Sequence, residues 1–251
     1  MRRCAGAWPR TSLRYDSGAA MTEWWTYRPS DFLLFSPRTY YRLFELYNAE
    51  VWPGHLLALG LGLALWLALW QRRAWAPRAA CVLLAAAWLW VAWAFHWQRM
   101  ASINWAASWF AAAFAIQGLL LCVAATTAGG RSAAAPCPSR HAGLALLLFA
   151  LLVQPALGTL LDRSWQQAEL FGLAPDPTAL ATLGVLLLRP RAATHADAAL
   201  KPTAAWWLWP IPLLWCGVTG MTLAAMQSAD AMVMPGAALV AVAALWRARV
   251  T

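Results

Sequence analysis

The side chains in this sequence that can carry charge or move protons stand out because their neighbours cannot. His55, His96, Asn104, Asp162, Glu169, Asp176 and Asp230 lie beside or at the ends of long apolar runs, and Gln117 and Gln154 lie deeper within such runs. A polar group at membrane depth is costly, ~2.5–3.5 kcal/mol for a central charge on insertion scales, so it faces a cavity or a partner. His55, His96, Asn104, Gln117, Glu169, Asp176, Thr178 and Asp230 are accordingly the expected lining of a ligand site. A histidine titrates near neutral pH, so His96 with a nearby carboxylate has the parts for acid–base chemistry. His55 and His96 with Glu169, Asp230 and the methionines Met221, Met226, Met232 and Met234 have the donor types that suit copper or another transition metal. None of these residues forms a local ligand motif, and methionine serves helix packing equally well. No metal site is assigned, and no cofactor is identified. P-loop, GxGxxG, HExxH, GxSxG and SxxK patterns are absent, so no catalytic residue is assigned.

The elements that must position these groups follow from composition. The chain has 251 residues, 62% hydrophobic and 12% charged, against roughly 25% charged in soluble domains. Apolar stretches approaching the ~20 residues needed to cross a bilayer recur, near 52–70, 79–97, 104–125, 142–161, 177–188, 204–225 and 231–246. The expected fold is all-α, a polytopic transmembrane helix bundle occupying residues 51–251 with about seven spanning helices. Six to eight also fit the pattern. A net charge of +9 would suggest nucleic acid in a soluble domain, but here the basic residues sort by side. Arg72, Arg73, Arg78, Arg131, Arg140, Arg189, Arg191, Lys201, Arg247 and Arg249 fall on one side, whereas the alternate loops hold only Arg99 and Arg163. The first side is expected to be cytoplasmic, with the C-terminus inside and the N-terminal tail outside, across a bacterial inner membrane. Trp52, Trp97, Trp105 and Trp165 then form an outer aromatic belt. The five cysteines contain no CxxC pair, which argues against a disulfide framework or zinc ribbon.

Residues 1–29 read as a low-complexity tail without the apolar core of a signal peptide, and Met21 is an alternative start. Residues 30–50 are expected to form an amphipathic helix in the membrane interface. Ser36-Pro37 supplies a cap and first helical position, and Tyr40, Tyr41, Phe44 and Tyr47 are interleaved with Arg38, Arg42 and Glu45. The fifth run is short: from Thr178 to Leu188 it covers about 16 Å, half a bilayer. Glu169 to Pro177 is too apolar for a free loop and too rich in Gly and Pro for a helix. Two arrangements satisfy this, an ordinary span from about Leu170 with a proline-kinked start, or a segment that dips into the outer leaflet and aims a helix N-terminus at a cavity. Pro210 and Pro212 in the Trp-rich sixth run suggest a kink, as a hinge or as packing with an aromatic belt.

The segment Phe44-Glu45-Leu46-Tyr47-Asn48-Ala49-Glu50-Val51-Trp52-Pro53 resembles the opening of a family of uncharacterised bacterial multi-pass membrane proteins, grouped as a domain of unknown function. His96 followed by Ile103-Asn104 and Gln117, then Phe171-Gly172 with Pro175, Pro177 and Thr178, and Pro210 through Trp215 extend the resemblance over about residues 30–245. His55 stands where that family has glutamine, and Asp176 where its Pro-Cys-Pro-Thr has cysteine. The resemblance implies membrane location and no defined activity.

Three classes of function are compatible with these residues. The first is transport or binding of a small solute or ion through an outward-facing polar cavity. The second is a structural or accessory subunit, packed on another membrane protein or a second copy of itself. The third is a membrane-embedded enzyme using His96. The expected surroundings are the lipid bilayer, with no nucleic acid.

Overall fold

The structure is a computed structural model that describes residues 35–128, 137–189 and 205–250. The tail over 1–29 and the loop residues Arg131, Arg191, His195 and Lys201 lie outside them. The described residues form eight helices and no strand: α1 Pro37–Val51, α2 Gly54–Trp70, α3 Ala76–Ser102, α4 Ala107–Thr127, α5 Ser139–Leu160, α6 Pro175–Leu187, α7 Pro210–Ala225 and α8 Val233–Val250. An all-helical bundle is thus what the composition requires, since each helix satisfies its own backbone groups.

Helices α3, α4, α5 and α7, the last taken with its leading turn from Trp206, are long and apolar enough to cross a membrane. Together α1 and α2 pass the same test but bend by 89° between them. Length and composition therefore give four crossings, or five with the bent pair, and do not reach the expected seven. The difference lies at the helix starts. Pro53 and Pro175 delay α2 and α6, leaving 17 and 13 residues, or about 26 and 20 Å. The apolar part of α8, Val233–Ala248, is likewise short.

The N-terminal helix opens at Ser36, whose hydroxyl accepts from the Thr39 N–H at 3.2 Å, with Pro37 in the first turn. Its Tyr40, Phe44 and Tyr47 fall on one face at helical spacing and are buried. They pack on protein: Phe44 and Tyr47 meet the Phe95 ring of α3 at 4.8 and 5.6 Å. Tyr47 also donates to Leu173 O and accepts from Trp90 Nε1.

At the centre stands α6, packed on α3, α5, α7 and α8, with all thirteen residues buried. A helix this apolar suits burial, in protein or in lipid, and here protein encloses it with its hydroxyls paired. Thr178 donates to Ala174 O, and Thr182 donates to Thr178 O while accepting from Trp88 Nε1 of α3. Close approach of α5 to α6 depends on Gly143 and Gly184, where an added Cβ would lie 2.6 and 2.7 Å from the other glycine's carbonyl oxygen. Helix α6 does not begin at Leu170. Residues 168–174 form a non-helical strap, turned at Gly172, where φ is +76° and glycine is needed. In α7, Pro210 and Pro212 occupy the first turn, where no intrahelical N–H is lost, so they begin the helix instead of kinking it.

Candidate functional site: a carboxyl pair at the head of the central helix

Asp176 occupies the first turn of α6, where the helix dipole favours negative charge. Its Oδ1 accepts from Trp215 Nε1 at 2.7 Å and from Thr219 Oγ1 at 2.8 Å. Those donors are four residues apart on one face of α7, so a single helix presents both. The strap returns Glu169 to the same neighbourhood, near enough that its carboxyl and that of Asp176 act on each other's charge. Oε2 of Glu169 is buried and has no hydrogen-bond partner. Burial holds the Glu169 carboxyl well above the usual carboxylate range, and the neighbouring Asp176 adds to the effect. Two carboxyl groups that interact in this way hold a proton between them, because ionising both places like charges together away from water.

A second charged layer lies beside the pair. Arg163 forms an ion pair with Asp230, both side chains largely buried. Asp230 also accepts from Ser228 Oγ at 2.5 Å. The Ser228 and Tyr41 hydroxyls are 3.2 Å apart, and the Arg163 guanidinium stacks over the Tyr41 ring at 4.6 Å. Tyr40 is buried near Glu169 and Asp176; burial, followed by those two carboxyls, pushes its phenol well above the ordinary tyrosine range. The site therefore sets three carboxyl groups against one guanidinium, with two phenols at its edge.

The other residues singled out by sequence are distributed unevenly. Thr178 supports the strap, its Oγ1 accepting from Gly172 N at 3.1 Å. His96 is enclosed by Phe95, Phe110, Phe114 and Trp215, with both ring nitrogens buried and unpartnered. It lies in the π-helical stretch Val91–Trp97 of α3, a helix irregularity frequent at functional sites. Trp215, which donates to Asp176, also meets the His96 ring, 5.1 Å between ring centres. Gln117 donates to Leu208 O at 3.1 Å and leaves its Oε1 buried without a partner. Asn104 accepts from Ala106 N and shapes a local turn. His55 pairs with Asn48 instead of another candidate ligand. No three His, Cys, Asp or Glu side chains among the described residues are arranged to hold a metal ion.

Two cavities flank the strap. One, about 920 Å³, lies between α2 and α3 against Phe171, Gly172 and Leu173. The other, about 720 Å³, lies among α1, α2, α5 and the segment Trp165–Leu170. Sequence reasoning named Glu169, Asp176 and Asp230 but missed Trp215, Thr219, Arg163, Tyr40 and Tyr41. The four-residue spacing of Trp215 and Thr219 was the available signal, and without the position of α6 it looks like ordinary packing.

Fold and site together define an all-helical protein, with helices of membrane-crossing length around a short buried helix headed by a carboxyl pair. The chain belongs to DUF6064, a family of unknown function, whose model matches residues 38–251. No curated protein and no solved structure matches it.

Proposed function

We propose that this is an integral membrane protein, resident in a bacterial inner membrane, that binds and moves a small solute or ion with a proton exchanged at Glu169 and Asp176. The observation that carries the reading is the carboxyl pair itself, two interacting carboxyls at the head of a wholly buried helix with Glu169 Oε2 lacking a partner. Intramembrane carboxyls that share a proton are the usual parts of proton relays and ion-coupled carriers. Half-length helices that point their ends at a central site are the usual frame of such carriers. The cavities on either side of the strap, lined by its residues Ala168 and Leu170 on one side and Phe171 to Leu173 on the other, offer solute space one layer away from the carboxyl pair. Exposed Trp70, Trp75, Trp93 and Leu214 support a lipid-facing outer surface. In this reading the strap end faces outward and the C-terminus lies in the cytoplasm.

The test is proton movement in vesicles of phosphatidylethanolamine and phosphatidylglycerol that hold the full chain and a pH-sensitive dye. Under imposed sodium or potassium gradients, the expected result is dye response above protein-free vesicles. Glu169→Gln and Asp176→Asn abolish it while the protein remains folded. Wild-type vesicles that behave like protein-free ones under every gradient overturn the reading.

A further inference from the structure

The 920 Å³ cavity between α2 and α3 is a trough with two unlike ends. Along one wall Leu83, Trp90 and Trp93 of α3 succeed one another over about 15 Å, the depth of one leaflet of hydrocarbon. Leu57 and Leu61 of α2 form the other wall. Gly172 of the strap makes the floor, where an added Cβ would stand 3.9 Å from that of Ala58 and 3.7 Å from that of Ala87. Leu57, Leu61, Trp90 and Trp93 are exposed, so the trough is open along its outer side. At the far end the lining changes to Glu50, Gln98 and Arg99.

Those three residues also line a second cavity, about 520 Å³, between α1 and the end of α3, where Arg38 and Arg42 join them. Three guanidiniums thus stand around a cleft that continues into an apolar trough. Arg42 is paired with Glu45 and Arg99 with Glu50. Arg38 has no ion pair among the described residues and supplies one positive charge in excess. All three can be reached: Arg38 is exposed, and the side chains of Arg42 and Arg99 are 59% and 24% exposed. Arg42 engages Glu45 through Nη1, so its Nε and Nη2 can still donate. A single negative charge spread over oxygen acceptors complements this cleft, and a hydrocarbon chain complements the trough. We infer that the adjoining cavities bind one anionic phospholipid, a phosphodiester of the phosphatidylglycerol class, with its phosphate among Arg38, Arg42 and Arg99 and one acyl chain along Leu57, Leu61, Leu83 and Trp90. The inference rests on the membrane residence proposed above, not on proton exchange, and it leaves the 720 Å³ cavity for a solute.

The experiment uses the full chain, delipidated in a nonionic detergent, and counts bound lipid by native mass spectrometry. The probes are phosphatidylglycerol and phosphatidylcholine with the same palmitoyl and oleoyl chains, and inorganic phosphate as the free anion. The expected result is one phosphatidylglycerol per chain, bound about fivefold more tightly than phosphatidylcholine, the effect of one basic residue in excess beside an anionic headgroup. Arg38→Gln removes that preference. Ala86→Trp, which fills the trough from α3, weakens both lipids. Both positions are exposed, so neither change should unfold the chain. No bound phosphatidylglycerol, equal binding of the two lipids, a preference that persists in Arg38→Gln, or unaltered binding in Ala86→Trp overturns the inference. Displacement of phosphatidylglycerol by millimolar inorganic phosphate overturns it too, by assigning the arginines to a free anion. A silent proton assay beside an intact lipid preference would refute proton exchange alone, and a lost preference beside an intact dye response would refute the lipid site alone.

Discussion

A carboxylate away from water is held by its donors, and Asp176 has two on one oxygen. Replacing Trp215 by Phe keeps the ring and removes one donor, which is expected to cost about 1.5–3 kcal/mol, the usual value of a hydrogen bond to a charged group. Thermal unfolding in detergent measures it. Thr219→Val should cost a similar amount, and the double variant less than the sum, since both act on the same atom. Glu169 makes stability depend on pH with a definite sign. Its folded-state carboxyl binds a proton well above the ordinary glutamate range, so between the unfolded and folded values the native state holds more protons than the unfolded chain. Its stabilising contribution is complete below the unfolded value and falls as pH rises through the folded one. Glu169→Gln should flatten that part of the profile; an unchanged profile would assign the dependence to another group.

Helix α6 is the element on which the site depends, and its contacts through α5 are the most exacting. Gly184→Val places side-chain atoms where the Gly143 carbonyl already lies, so loss of about 1–3 kcal/mol or more is expected from overpacking. The readout is a lowered midpoint of thermal unfolding; a variant as stable as wild type would contradict the close crossing. Much at this scale was legible. Ser36 and Pro37 mark the start of α1 because cap chemistry is local, and helical class follows from apolar runs with few charges. The register of the strap was not legible. Glu169 and Asp176 are seven residues apart, and only the turn at Gly172 with the delayed helix start at Pro175 brings their carboxyls together. The aromatic enclosure of His96 was equally hidden, since Phe110, Phe114 and Trp215 come from two other helices. Pairings between helices are set by packing, which a single apolar pattern does not encode.

Among the described residues, Glu169, Asp176 and Asp230 gather near α1 and the strap, while at other helix ends Arg78 donates to Ala128 O, Arg140 to Trp70 O and Arg189 to Cys81 Sγ. In a chain stripped of its five cysteines, a cysteine at Trp165 should react with a membrane-impermeant maleimide in intact spheroplasts. One placed at Arg247 should react only after lysis, and the reverse pattern would invert the proposed orientation. The central claim is narrower than topology: Glu169 and Asp176 keep a proton between them inside the folded protein. Infrared spectroscopy of the purified chain, titrated through neutral pH in heavy and light water, reads it directly through the carbonyl stretch of a protonated carboxyl. The account predicts such a band persisting well above the ordinary glutamate range in the wild type and lost in Glu169→Gln. Its absence from wild-type protein at neutral pH, with both carboxyls ionised, would contradict the account.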